Sequence, residues 1–427
     1  MNEKNNFKQL LKTLGPGLLF ASSAIGTSHL VLSTRAGAHY GMIYFWIITG
    51  ALVLKYPFYE FGPRYANATG YSLLQGYKDQ GIWAVVLFLF VIFLSMFSVT
   101  GAIGAVTAGL LATMFGLTTL PVPLLAGVVI GLSVLLLLLG GYKVLDNLIK
   151  VISVVLLIAV LIAFIAVLFK GPIEAVPDFQ APPLLEGAGL ALLVSLLGWL
   201  PAGMEASTMN SIWNIEKSKT TNYHPTLRES LFDFNLGYML TIALALMFMT
   251  IGAFTIYGSG FKLEGNATQF SNKLLNIFTQ NLGTWSYYVI AIAALGTIYG
   301  TFITVLDAFP RCFVQGLSVL KYADNVKDTT AQTRFINRGY KWAVVITGLG
   351  GFGLFYGSAT SMLQLLEYGT ILSFILSPII AFLNLRAIQS DKVPASHQPS
   401  SRMIVLAYVG LLSMTLFAIY YLFSIIT

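Results

Sequence analysis

Apolar runs of about 20 residues, each enough to cross the roughly 30 Å hydrocarbon core of a bilayer as a helix, recur along the whole chain between short polar segments. They predict helices at about 15–36, 41–59, 83–113, 121–141, 145–169, 188–214, 233–257, 285–317, 340–357, 361–387 and 402–425. The runs are continuous and do not alternate with period two, which excludes a β-barrel, and helices satisfy their own backbone groups inside lipid. The pattern therefore reads as an all-α polytopic membrane protein with eleven transmembrane helices. Two runs are interrupted. The first contains "SSAIGTSHLV" (22–31) and the sixth "GWLPAGMEASTMNS" (198–211), polar stretches rich in glycine, serine and threonine that hold His29 and Glu205.

Glycine and proline weaken helical hydrogen bonding, and small hydroxyl side chains re-satisfy the backbone groups that are freed. Both stretches thus predict helices that unwind near the middle of the membrane. Setting "GPGLLFASSAIG" (15–26) over "GAGLALLVSLLG" (187–198) matches Gly15 with Gly187, Gly17 with Gly189, Leu18 with Leu190, Ser23 with Ser195 and Gly26 with Gly198, without a gap. Five helices separate the two segments, so they enter the membrane from opposite sides, as in the 5+5 inverted repeat of the LeuT-type fold, with helices 1 and 6 broken. The expected organisation is an N-terminal segment 1–14, a first repeat 15–169, an outer loop 170–187, a second repeat 188–387, a connector 388–401 and a peripheral helix 402–427. A packing face of small residues is the alternative account of the same glycines and serines.

Composition agrees with the pattern: 56% of residues are apolar and only 10% charged. Lys217, Arg228, Arg311, Arg334 and most other basic residues fall in segments on the side of the N-terminus, whereas the opposite loops hold Arg35, Lys170, Lys262 and Lys273. By the positive-inside rule the N-terminus is cytoplasmic and the C-terminus outside, and a plasma (inner) membrane is the expected location. The net charge of +7 then belongs to basic loops at a lipid surface, and no nucleic-acid partner is needed. The single cysteine, Cys312, excludes an intramolecular disulfide. "NAT" at 266–268 matches a glycosylation pattern in an outer loop.

The segments "GPGLLFASSAIGTSHLVLSTRAGAHYG" (15–41), "HPTLRESLFDFNLGYMLTIALAL" (224–246) and "GTIYGTFITVLDAF" (296–309) resemble the Nramp family of divalent-metal transporters. The resemblance implies the eleven-helix LeuT-type fold and, in typical members, proton-linked uptake of manganese or iron. It also exposes departures. Where the family carries Asp-Pro-Gly-Asn in helix 1, this chain has Gly26, Thr27, Ser28 and His29; where it carries Met-Pro-His-Asn in helix 6, this chain has "GMEAS" (203–207). No Asp or Glu lies between Asp79 and Asp146, so the acidic residues that the family places on helix 3 are missing.

The expected substrate site therefore comprises Gly26, Thr27, Ser28, His29, Gly203, Met204, Glu205, Ser207, Thr208 and Asn210, with Glu205 and His29 approaching each other across a central cavity. Carboxylate, imidazole and thioether are metal ligands, so His29, Glu205 and Met204 form the candidate metal set. His29, Glu205 and Glu367 are candidates for coupling or gating. Asp307, four residues before Arg311, predicts an ion pair, and Asp233 a structural role at the start of helix 7. Two functions follow: secondary transport of a manganese-like divalent cation with possible proton coupling, or proton- or sodium-coupled transport of a small organic solute such as an amino acid. The partners expected are the lipid bilayer and a small-molecule or ion substrate, with no resident cofactor. No catalytic constellation is present, which sets enzymes aside.

Overall fold

The computed structural model describes residues 14–117, 119–177, 179–260, 283–322, 329–357 and 362–426, with 272, 275, 276 and 279 besides. Among these residues the chain forms helices and turns, with no strand. α1 (Pro16–Ala24) is followed by a π-helical turn (Ser28–Ser33) that runs into α2 (Thr34–Tyr40). Then come α3 (Ile43–Thr69), α4 (Leu73–Gln80), α5 (Ile82–Met114), α6 (Val122–Lys170), α7 (Gly187–Trp199), α8 (Ala206–Thr221) and α9 (Leu227–Thr255). The chain continues through α10 (Ser286–Lys321), α11 (Thr329–Gly357), α12 (Met362–Ile388) and α13 (Ser401–Ile426). The glycosylation pattern at Asn266 lies outside the described residues.

Each predicted span has a helical counterpart, with one difference in connectivity. The helices expected at 121–141 and 145–169 are joined as α6, 49 residues long. At about 1.5 Å per residue such a helix far exceeds a bilayer core, and it divides into two apolar stretches, Val122–Gly140 and Tyr142–Lys170. A short Gly-Gly-Tyr-Lys link has too few residues to make a polar loop, so the helical hydrogen bonding carries through it. By length and apolarity, seven helical stretches among the described residues, the two within α6 included, suffice to cross a membrane, eight when α1 and the segment Ser28–Tyr40 are joined as one bent span. The runs predicted at 41–59, 188–214 and 340–357 are helical but fall below that measure. Lys55, Glu60 and Arg64 make α3 more polar, α7 and α8 are separate short helices, and α11 begins with Arg334, Arg338 and Lys341.

The first broken span lies along α9 with its backbone in contact. A Cβ on Gly17 would fall 1.9 Å from the Asp233 carbonyl oxygen, and one on Gly237 would fall 2.0 Å from that of Gly17. Farther along, a Cβ on Gly37 would meet the Met249 carbonyl oxygen at 1.9 Å and one on Gly252 that of Thr34 at 2.2 Å. Small residues permit this approach, which is how helices gain packing where lipid supplies little hydrophobic drive. The packing account of the glycines therefore holds for Gly17, while the interruption that follows is also present.

α9 starts with a capping box, in which Thr226 accepts from the Glu229 amide and Glu229 accepts from that of Thr226. Asp233 consequently sits inside α9 and not at its first residue. Its carboxylate accepts from Gly15 N at 2.9 Å and Gly17 N at 2.6 Å, so it caps α1, a different helix from its own. Asp233→Ala strands both donors in a buried site, at about 1–3 kcal/mol each. We expect a lower melting temperature of the detergent-purified protein, with Asp233→Asn intermediate; equal melting of all three would refute the cap.

Candidate functional site

The break in the first span follows from lost donors and recruited hydroxyls. α1 ends at Ala24 and the chain bends by 46° before continuing from Ser28. Ser28 Oγ donates to Ala24 O at 2.6 Å, Ser33 Oγ to Ser28 O at 3.0 Å, and Thr301 Oγ1 of α10 to Ser22 O at 2.7 Å. A Cβ on Gly26 would fall 2.3 Å from Thr301 Oγ1, so only glycine lets α10 approach here. The π turn that follows places His29 against α9. His29 Nε2 lies 3.0 Å from the Thr241 carbonyl oxygen, which can only accept, so Nε2 carries the proton; Nδ1 lies 2.8 Å from Ser28 Oγ.

In the second interrupted stretch the chain opens between Trp199, the end of α7, and Ala206, the start of α8. Pro201 has no N–H, so the carbonyl of Leu197, four residues earlier, loses its helical donor. Lys55, buried in α3, replaces it: its Nζ donates to Leu197 O and, at 3.0 Å, to Leu200 O. Tyr59, one turn along α3, donates to Ala202 O at 2.5 Å. Thus α3 supplies donors to the bare carbonyls of the break. The sequence reading had not singled out Lys55, although a lone lysine inside an apolar run beside a proline-interrupted span is a readable signal.

Between the two breaks is a cavity of ≈ 30 Å³ lined by Thr27, Ser28, Gly203, Glu205, Met209 and Thr301, among others. Glu205 and Met209 are four residues apart at the start of α8 and share a face. A Cβ on Gly203 would fall 2.2 Å from Glu205 Oε1, so the carboxyl group folds back over that glycine. The Thr27 hydroxyl and the Trp199 indole N–H, both at this cavity, are buried without a hydrogen-bond partner among the described residues. Buried polar atoms of this kind ask for a polar occupant.

The predicted site residues divide accordingly. Thr27, Ser28, Gly203 and Glu205 line the cavity; His29 does not, because its ring is held on the α9 side. The expected meeting of His29 with Glu205 is therefore absent, and no group of three His, Cys, Asp or Glu side chains placed to hold a metal occurs among the described residues. Met204 is fully buried in the turn before α8 and does not reach the cavity lining; Met209 does. Gly26 packs on Thr301 at the cavity edge. Ser207 accepts from Asn384 Nδ2 at 2.7 Å, Thr208 pairs with Tyr77 at 2.9 Å, and Asn210 Nδ2 donates to Pro16 O at 3.2 Å. These three hold α8 in place. The side chain of Glu367 lies outside the described residues.

On the N-terminal side, α8 is fastened by charge. Lys217 pairs with Asp146 of α6 at 2.8 Å, and Trp213 Nε1 donates to Asp307 of α10 at 3.2 Å. Asp307 makes the expected pair with Arg311 at 2.6 Å and accepts from Tyr340 of α11 at 2.5 Å. At the opposite ends of the broken spans is a larger cavity of ≈ 640 Å³, lined by Arg35, His39, Tyr40 and Glu186 among others.

Residues 17–424 match the family described as Natural resistance-associated macrophage protein-like (Nramp). The chain belongs to this family. Uncharacterized protein PM0681 of Pasteurella multocida (strain Pm70) is 32% identical over 425 residues, covering 98% of this chain and 94% of that protein. Among solved structures, a mutant of the Eremococcus coleocola manganese transporter superposes with a TM-score of 0.66 at 13% identity, covering 99% and 88% of the two chains. MhsT in complex with L-phenylalanine gives 0.63 at 11% identity, over 96% and 98%. Mhp1, a nucleobase-cation-symport-1 family transporter with bromovinylhydantoin bound, gives 0.58 at 13% identity, over 96% and 92%. This Nramp-family chain thus shares its fold with transporters of the LeuT type, as the resemblance implied.

Proposed function

We propose that this Nramp-family protein is a secondary active transporter that works by alternating access and carries a divalent, manganese-like metal cation with proton linkage. In this reading it has eleven spans in a 5+5 inverted repeat, with the N-terminus cytoplasmic and the C-terminus outside, in the plasma (inner) membrane. The observation that carries it is the ≈ 30 Å³ cavity between the two breaks with Glu205 in its wall. A water needs roughly 10–15 Å³ of such space, so an ion with a water suits this volume and an amino acid does not. Glu205 supplies a hard carboxylate, Met209 a soft thioether, and Thr27, Ser28 and Thr301 hydroxyls; a mixed set of this kind favours manganese, iron or cobalt over magnesium or calcium. Met209 takes the place first given to Met204, and His29 leaves the donor set. The contacts between helices, Lys217 with Asp146 and Trp213 and Tyr340 with Asp307, would part when the N-terminal side opens, and the ≈ 640 Å³ cavity is the outer approach.

The organic-solute reading keeps one observation in its favour. Lys55 acts electrostatically on Glu205, which reduces the negative charge available to a metal. Titration of the purified protein with Mn²⁺, Fe²⁺, Co²⁺ and Mg²⁺, read by heat and by melting temperature, separates the two. Saturable stabilisation by Mn²⁺, about 2.7 kcal/mol at a hundred times Kd, is expected, with Mg²⁺ weaker. No response to any of the four would remove the metal and turn the search to amino acids and related solutes.

A further inference from the structure

We propose that Lys55 is the proton-coupling residue of this protein: a tethered ammonium that locks the break in the sixth span while charged and releases it on losing its proton. The inference rests on the transporter reading of the site but not on which cargo is carried.

The argument begins with position. Lys55 is 3% exposed in the middle of α3, and among the described residues its ammonium is in no ion pair. Its hydrogen bonds go to Leu197 O and Leu200 O, at the C-terminal end of α7, where unsatisfied carbonyls concentrate partial negative charge. Glu205, at the start of α8, is the charged group that acts on it from across the break. One side chain thus compensates both the last carbonyls of one half-helix and the carboxylate that opens the next. Its hydrogen bonds tie α3 to the end of α7.

Among the described residues the surroundings contain no substitute for that charge. On its own helix, Tyr59 is occupied by Ala202 O and the Glu60 carboxylate is paired with Arg64 at 2.5 Å. From α9, Tyr238 faces α3 and donates to Leu52 O at 2.6 Å. From α12, the neutral Ser373 hydroxyl lies by Glu205; from α4 and α10, Tyr77 and Cys312 are within the electrostatic reach of that carboxylate but carry no positive charge. An ammonium in this place is therefore an all-or-none contribution. With Lys55 charged and Glu205 ionised, the pair is neutral overall. A divalent cation held at Glu205 would bring the site to +2, and loss of the Lys55 proton to solvent water, leaving a neutral amine, lowers it to +1. Cargo and proton would then compete, and the break would loosen from α3 as the proton leaves.

A structural lysine that merely caps α7 would make no such link with pH, so the test reads conformation against pH without any cargo. Spin labels at Trp46→Cys and Ala188→Cys, both exposed and near the starts of α3 and α7, would be introduced with Cys312→Ser and the protein placed in lipid nanodiscs. Double electron–electron resonance distances are then recorded from pH 5 to pH 9. The expected result is a reversible shift in the distance distribution as pH rises. Lys55→Arg, which keeps its charge, should remain at the low-pH distribution, and Lys55→Met should be insensitive to pH. The same shift in Lys55→Met, or no shift in the labelled parent, would overturn the proposal. Should either variant fail to fold, the other still decides, and failure of the Mn²⁺ titration leaves this measurement unaffected.

Discussion

Asp307→Ala is expected to be among the most damaging single substitutions, at about 3–5 kcal/mol, the usual range when one partner of a buried ion pair is removed. Asp307 is fully buried and accepts from Arg311, from Tyr340 and from Trp213. These donors come from α10 itself, from α11 and from α8, so one carboxylate joins three helices. Its removal leaves the Arg311 guanidinium, stacked 4.4 Å over the Tyr340 ring, with Glu216 at 3.8 Å as its remaining acidic partner. Melting followed by fluorescence-detected size exclusion should show a much lower midpoint or no folded peak. Asp307→Ala combined with Arg311→Met should recover part of the loss, because an apolar pair leaves no charge uncompensated. If the single variant melted with the parent, the network would not be structural.

Much of the architecture was legible because membrane helices advertise themselves by continuous apolar runs, and both interruptions by residues that a regular helix handles poorly. Gly26 before a run of hydroxyl side chains, and Pro201 with Gly203 before Glu205, are chemical reasons for a helix to stop. The i,i+4 spacing of Asp307 and Arg311 also led directly to an observed pair. What was not legible was rotation. The π turn after Thr27 aims His29 at Thr241 and away from Glu205, and spacing along the chain does not disclose that turn. The start of α8 at Ala206 puts Met209, not Met204, on the face of Glu205. Asp233 looked like an aid to its own helix because its partners, Gly15 and Gly17, are more than two hundred positions away. Lys55 was overlooked for the same reason: its meaning depends on carbonyls of another span.

Glu205→Gln tests the centre of the proposed function. The substitution keeps the size of the side chain and removes the one carboxylate that the described residues place in the cavity wall, so the remaining lining offers hydroxyls, a thioether and backbone oxygens. Even the outer-shell partners of metal ligands are worth about 10–100-fold in affinity, so loss of this ligand should weaken Mn²⁺ binding by more than about a hundredfold. In proteoliposomes, Mn²⁺ uptake should fall to the level of empty vesicles, while Glu205→Asp retains part of it because the charge remains with a shorter reach. The neutral side chain also leaves Lys55 without the opposing charge across the break, but its bonds to Leu197 O and Leu200 O persist, so the variant should still fold and elute as the parent does. Folded protein with undiminished Mn²⁺ uptake would show that the cation does not use Glu205. The cavity would then serve some other cargo or none.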